Sequence, residues 1–274
     1  MPASLPWRGP TDGSLDGLRV AIYTDDGFFR PAPAVRRAVR EAAAALRARG
    51  ARVEEWTPPD VAEAMRIYLG IASADRGAGY RRTLGKNERD RRITGLLRAA
   101  GLPNRMRPVI GGLLERAGQR HLAGTLRSMG WRSAEGYWKL VERRNGYRAR
   151  FLAELDAGGF DAIICPPHAL PALAHGASEY LLAASSYSLL YNALGMPAGV
   201  IAATRVGANE ESDHPDSRDL VDRTARKSEE NSAGLPVGVQ VVARHWRDDR
   251  VLELMAELER HFRTQPGYPT RPAI

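Results

Sequence analysis

Forty residues near the start of the chain constrain its fold more than any other stretch. Residues 18–23 (LRVAIY) form a short apolar run of strand length. Pro33 then opens a stretch in which Val35, Ala38, Val39, Ala42 and Leu46 recur at helical spacing, and Gly50 is placed to end it. Residues 52–56 alternate as a second strand. Strand, helix and strand in so short a span predict a βαβ unit, whose two strands run parallel through a right-handed crossover. The turn TDDGFFRP after the first strand lacks the G-x-G-x-x-G pattern, so no dinucleotide site of that kind is expected there.

The pattern continues downstream. Ser133 is placed to cap a long helix running to about Asp156, with Leu140, Tyr147, Phe151 and Leu155 on its inner face. Residues 160–165 (FDAIIC) read as a buried strand stopped by Pro166 and Pro167. Residues 180–194 read as a helix, and 200–204 and 235–243 (LPVGVQVVA) as strands. A last helix is capped at Asp248 and carries Val251, Leu252, Met255, Leu258 and Phe262 inward. Between the last two strands, residues 207–233 form a polar excursion with eight acids and four bases, expected to be solvated. The fold class is α/β.

Charge is unevenly placed. The 274 residues carry a net charge of +8, yet residues 75–132 alone hold 14 Lys or Arg against four acids. Any anionic partner would be met there. Ile93, Leu96, Leu97 and Ala100 make one apolar stripe in this region. After GLPN, a second runs from Met106 to Met129 through Val109, Ile110, Leu113, Leu114, Leu122 and Leu126. No run of 18 apolar residues exists, so no membrane-spanning helix is expected. The opening residues MPASLPWRGPTDGS lack the apolar core of a signal peptide. One cysteine allows no intramolecular disulfide, and a reducing, cytoplasmic setting is the expectation.

Candidate reactive groups read as structural. Cys165 and His168 lie close in sequence, but the intervening prolines and the strand-end position favour a buried thiol. His168 and His175 have no metal-ligand spacing and no third partner, so no metal is expected. Ser185 and Ser186 lack the flanking glycines that expose a nucleophile on a tight turn. The paired acids Asp25–Asp26 and Glu210–Glu211 read as loop residues.

Three stretches carry a resemblance. They are YSLLYNALGMPAGV (187–200), GLPVGVQVV (234–242) followed by Trp246, and the first strand with its Pro33 helix. Together they resemble the C-terminal half of an amidase-signature hydrolase, across residues 15–263 and in the family's order. The YSLLYN opening, the turn at Ser128–Met129 to Arg132-Ser-Ala-Glu135 and Trp246 are similar to the fatty-acid amide hydrolase branch. The resemblance implies a mixed central sheet flanked by helices, a single partial amidase domain over 1–274, and a helical cap at 93–129. Pro197 and Pro236 suit strand starts, where a missing N–H costs no ladder bond. Gly199 and Gly238 suit close backbone approach. Gln240 suits a buried amide bracing a loop.

Members of this family hydrolyse a carboxylic amide to acid and amine with a Ser nucleophile, a bridging Ser and a Lys base near a Gly-Ser-rich loop. No such loop occurs in this sequence. Lys86, Lys139 and Lys227, its only lysines, fall in segments matching non-catalytic parts of the family. The resemblance therefore carries over no catalytic residue and no cofactor. It implies a substrate-channel half, inactive alone, completed by an N-terminal amidase half on another chain and taking a hydrophobic amide. The channel positions by resemblance are Ala72, Ser73, Thr204 and Trp246. Membrane contact would fall on Ile110, Leu113, Leu114, Arg116 and Arg120, making the chain peripheral to a membrane. An unpaired sheet edge would favour a homodimer when the chain is alone. The rival class is a non-catalytic basic module. Nucleic acid is not the expected ligand, because the segment lacks interleaved aromatics for base stacking.

Overall fold

A computed structural model describes residues 14–87 and 90–270, leaving the side chains of 91 and 92 aside. The reading of the first residues as free of a leader falls almost wholly outside this range. The βαβ unit is present. β1 (Arg19–Ile22) leads into α1 (Pro33–Ala48) and returns as β2 (Arg52–Glu55), parallel to β1 with Val20 opposite Val53. Pro33 stands at the first turn of α1, where its missing N–H is not needed.

Next come α2 (Val61–Ala72), α3 (Ala78–Leu84), α4 (Arg91–Gly101), α5 (Arg107–Arg116), α6 (Arg120–Ser128) and α7 (Ala134–Ala157). Ser133 caps α7 as expected, its hydroxyl accepting the Gly136 N–H at 3.1 Å. β3 (Ala162–Cys165), α8 (Ser186–Leu194), β4 (Ala198–Arg205), α9 (Leu220–Glu229), β5 (Pro236–Ala243) and α10 (Asp248–Phe262) complete the chain.

The five strands form one mixed sheet in the order β2-β1-β3-β5-β4. β3 is parallel to β1, while β5 is antiparallel to both β3 and β4. Strand alternation splits the core into two layers. Val20, Ile22, Ile164, Val239 and Val241 pack under α1 and α10. Ala21, Ile163, Cys165 and Val242 face α2, α7, α8 and α9. At Gly199 a Cβ would run into the Met255 sulfur, and at Gly238 it would sit 2.9 Å from the Ile201 carbonyl oxygen. Both glycines therefore permit the close passage expected of them. Pro236 starts β5 and Pro197 directly precedes β4.

Three expectations need correction. The second apolar stripe is two helices, because Gly118 takes a φ of +80° and turns the chain between α5 and α6. Leu252 is exposed, and Leu254 takes the inward place on α10. The excursion at 207–233 is polar but not simply solvated, since α9 within it buries Val221 and Ala225 in the core. Ion pairs clasp this segment to the β1–α1 turn and to α1: Arg37–Glu210 at 2.7 Å and Arg30–Asp213 at 2.6 Å. Charge-pairing to arginines lets a polar sequence pack without an apolar face of its own.

Candidate functional site

The carboxyl ends of β1 and β3 meet α8 in a buried polar network. The Tyr23 and Tyr191 hydroxyls are 2.8 Å apart, and the Cys165 thiol donates to Tyr191 Oη at 3.7 Å. Gln240, directly opposite Cys165 in the sheet, donates to the Tyr187 carbonyl oxygen at 3.1 Å. It braces the start of α8 against β5, as a buried amide should. Asp26 is buried rather than a loop ornament. Its Oδ1 accepts the N–H groups of Phe28 (2.9 Å) and Phe29 (3.1 Å), and its Oδ2 accepts the Ser186 hydroxyl. Burial raises the Asp26 carboxyl above its ordinary range, partly offset by those donors.

This network orders the loop after β1; it has no nucleophile ready to react. Burial pushes the Cys165 thiol up to about 11, leaving essentially no thiolate at neutral pH. The His168 Nδ1 accepts the Leu170 N–H at 3.0 Å, while the Cys165 thiol is bonded to Tyr191. Ser186 is fully buried, its hydroxyl held by the Asp26 carboxylate and out of reach of a substrate. Lys86, Lys139 and Lys227 are all exposed.

The concave apolar site lies in the basic helical segment. α4, α5 and α6, the turns at 177–185 and α9 enclose a cavity of 530 Å³. Leu96, Leu114, Leu122, Leu126, Met129 and Val221 give its walls an apolar character, with His121 and Glu179 among the few polar groups. Arg107 holds the enclosing helices together. Its guanidinium donates to the carbonyls of Ala99 (2.7 Å), Ala100 (3.0 Å) and Leu102 (3.0 Å) at the end of α4, and to Leu126 (3.0 Å) in α6. Burial and the neighbouring Arg132 and Arg76 charges lower its pKa, and the carbonyl dipoles of two helix ends stand in for a carboxylate.

The positions singled out from the sequence are dispersed. Ala72 lines a separate open groove of 820 Å³ beside Tyr80, Trp131, Tyr137 and Trp138. Ser73 is buried beneath it, its hydroxyl accepting the Gly130 N–H at 2.9 Å. Thr204 sits on the α1 side of the sheet, 3.2 Å from Arg37 Nη1. Trp246 is 76% exposed, at a φ of +66° after β5. Of the five membrane-contact positions, Leu113 is 59% exposed and Arg116 is exposed, whereas Ile110 is half-buried and Leu114 faces the cavity. Arg120 opens into a neighbouring cleft. Exposed apolar side chains in this stretch are Met106, at the N-cap of α5, and Val109 and Leu113. The aromatic groove was missed because its rings come from three elements, and no periodicity joins Tyr80 to Trp138.

The family model described as Amidase matches residues 2–252 of this sequence. The chain belongs to the amidase family. The amidase chain is 32% identical to Fatty-acid amide hydrolase 1 of Sus scrofa over 261 residues, covering 93% of this chain and 45% of that relative. To Fatty acid amide hydrolase 1 of Caenorhabditis elegans it is 29% identical, covering 92% of this chain and 44% of the relative. It thus spans less than half the length of these curated relatives. Among solved structures it is similar to a fatty acid amide hydrolase at a TM-score of 0.69, with 20% identity, 93% of this chain and 41% of that one covered. A 6-aminohexanoate cyclic dimer hydrolase superposes at 0.57 with 18% identity, covering 94% and 47%. At these identities the structural matches establish the shared amidase fold. The α/β class and the mixed sheet expected from the sequence are those of the family.

Proposed function

We propose that this amidase chain is the substrate-channel half of a fatty-acid-amide-hydrolase-like enzyme. The complete enzyme cleaves a carboxylic amide bearing an apolar acyl chain to the acid and the amine. The single observation carrying this reading is the 530 Å³ cavity, which is of ligand size, mostly apolar and open to solvent. In this reading the acyl chain lies against Leu122 and Leu126, and the Ser–Ser–Lys group is supplied from outside these 274 residues. A catalytic half on another polypeptide would join at β4. That edge strand has eight residues, pairs only with β5 among the described residues, and leaves Val200 51% exposed. The opposite edge, β2, presents Arg52, Glu54 and Glu55, charges that discourage strand addition.

Membrane contact is the accompanying proposal. Met106, Val109 and Leu113 recur at three- and four-residue spacing on an exposed face of α5, beside Arg105 and Arg116. Such a face suits the boundary of an anionic bilayer. Among the described residues no helix is long and apolar enough to cross one.

The test uses the 274-residue chain itself. It should bind a fluorescent long-chain fatty amide saturably, and Ala99→Phe, which fills the cavity, should abolish that binding. It should form no adduct with a fluorophosphonate and turn over no amide. An adduct or turnover would refute the assignment of catalysis to another half, and binding that survives Ala99→Phe would refute the acyl cavity.

A further inference from the structure

A second concave site lies on the other face of α6. Leu122 and Leu126 look into the apolar cavity, while Arg120, Gly124, Arg127 and Ser128 line a cleft of 430 Å³ between α2, α6 and α7. Arg66 from α2, Arg132 from the turn before α7 and Arg143 from α7 complete its cationic lining. Met65, Leu69 and Leu140 supply apolar surface, and none of the lining residues is acidic. Five arginines therefore line one cleft, and their summed charge attracts any anion that enters.

The carboxylates nearby do not fill that role. Glu115 holds Arg127 at 2.7 Å from outside the lining, and Glu63 lies 3.4 Å from Arg143 while also taking Arg150 at 2.6 Å. Asp60 is 3.7 Å from Arg66, a loose pair between exposed side chains. Arg132 donates to the Trp131 and Ser128 carbonyls at 3.0 and 3.3 Å and has no carboxylate partner among the described residues. Arg120 makes no side-chain hydrogen bond or ion pair among the described residues.

We propose that this cleft binds a phosphomonoester carrying an apolar substituent, the phosphate on Arg120 and Arg132 and the substituent along Met65, Leu69 and Leu140. Planar guanidinium forks match the several acceptor oxygens of a phosphate, which carries more charge than a single carboxylate. The site opens on the opposite side of α6 from the acyl cavity, with His121 and Thr125 shared between their walls, and its occupancy does not depend on amide hydrolysis. A soluble phosphomonoester and the headgroup of phosphatidate share the required chemistry.

Calorimetric titration of the full chain with phenyl phosphate tests the proposal. The expected result is saturable binding at one site. Arg120→Gln should weaken it about tenfold, the loss of one charge-assisted contact. Gly124→Leu should abolish it: a Cβ at Gly124 meets open space, and leucine is a better helix former, so that variant blocks the cleft without unfolding α6. Arg40→Gln, at an exposed position of α1, is the remote control and should change nothing. Phosphatidate vesicles that compete with phenyl phosphate identify a lipid headgroup as the natural source. Vesicles that do not compete assign the site to a soluble ester. Absence of saturable binding, or binding that survives both Arg120→Gln and Gly124→Leu, overturns the proposal.

Discussion

The sheet with its covering helices and the arginine-rich helices α3 to α6 are built on opposite terms. In the sheet, Val20, Ile164, Val239 and Val241 are wholly buried, and α1 alone adds eight buried residues that include Ala38, Val39, Ala42 and Leu46. In the helical segment α3 buries nothing, α5 buries only Arg107 and Gly111, and α6 buries only Ala123 and Leu126. The first region holds its shape by excluding water from hydrocarbon; the second relies on one guanidinium and a few caps. A loosely packed layer resting on a dense one leaves concave space, and both candidate ligand sites lie there. Regions that open for ligands are drawn from the less stable parts of a fold.

The largest effect that tests this contrast is a cavity in the dense layer. Leu46→Ala removes a fully buried side chain under the sheet and should cost about 3 kcal/mol. Leu113→Ala, on the exposed face of α5, should stay within about 0.5 kcal/mol. Urea unfolding of the two variants checks the pair. Equal losses would mean that the helical segment is packed as tightly as the sheet.

Arg107→Met comes next. It preserves bulk while depriving four carbonyl groups of their donor, at a cost of about 2 kcal/mol. The loss should be local. Amide hydrogen exchange should quicken across α4 to α6 while β1, β3 and β5 keep their protection. Uniform quickening would merge the two regions into one cooperative unit. A smaller effect is expected at Asp219, whose carboxylate accepts the Val221 N–H at 2.9 Å as the cap of α9 and the His121 N–H at 3.0 Å from α6. Asp219→Ala should cost about 1 kcal/mol, measured by the same unfolding assay.

The same contrast explains what could be read from the sequence. β1, β3 and β5 were legible because burial on both faces of a sheet demands apolar runs, β2 by its alternation, and α1 by its buried stripe at regular spacing. The amidase motifs at 187–200 and 234–242 lie in that dense layer, as do Pro197, Gly199 and Gly238. In the helical layer few positions are buried, so periodicity says little. The helix α2 has no counterpart in the sequence reading, and the break at Gly118 was hidden inside an apparently continuous stripe. The segment at 207–233 misled for another reason. Asp213 and Glu210 pack through arginines of the β1–α1 turn and α1, far away in sequence, which no local pattern can announce. The four channel positions depended on alignment alone, and the structure gathers no two of them on the lining of one described cavity.

The smallest expected effect probes the seam between the layers. The hydrogen bond from the His121 imidazole, 3.0 Å away, is the main cause that holds the Asp222 carboxyl below its usual range; the Ser217 hydroxyl adds to it. A carboxylate whose pKa is lower folded than unfolded releases its proton more readily in the native state. Its contribution is complete above the unfolded value of about 3.9 and is lost as pH falls through the lower native value. Asp222→Asn should therefore be modestly less stable than the parent at pH 7, and the two should converge as pH drops below about 4. Unfolding free energies measured at both ends of that window check the sign. A gap that persists unchanged into acid would show that the bond from α6 to α9 acts through packing, and that the two layers are joined by contact rather than by charge.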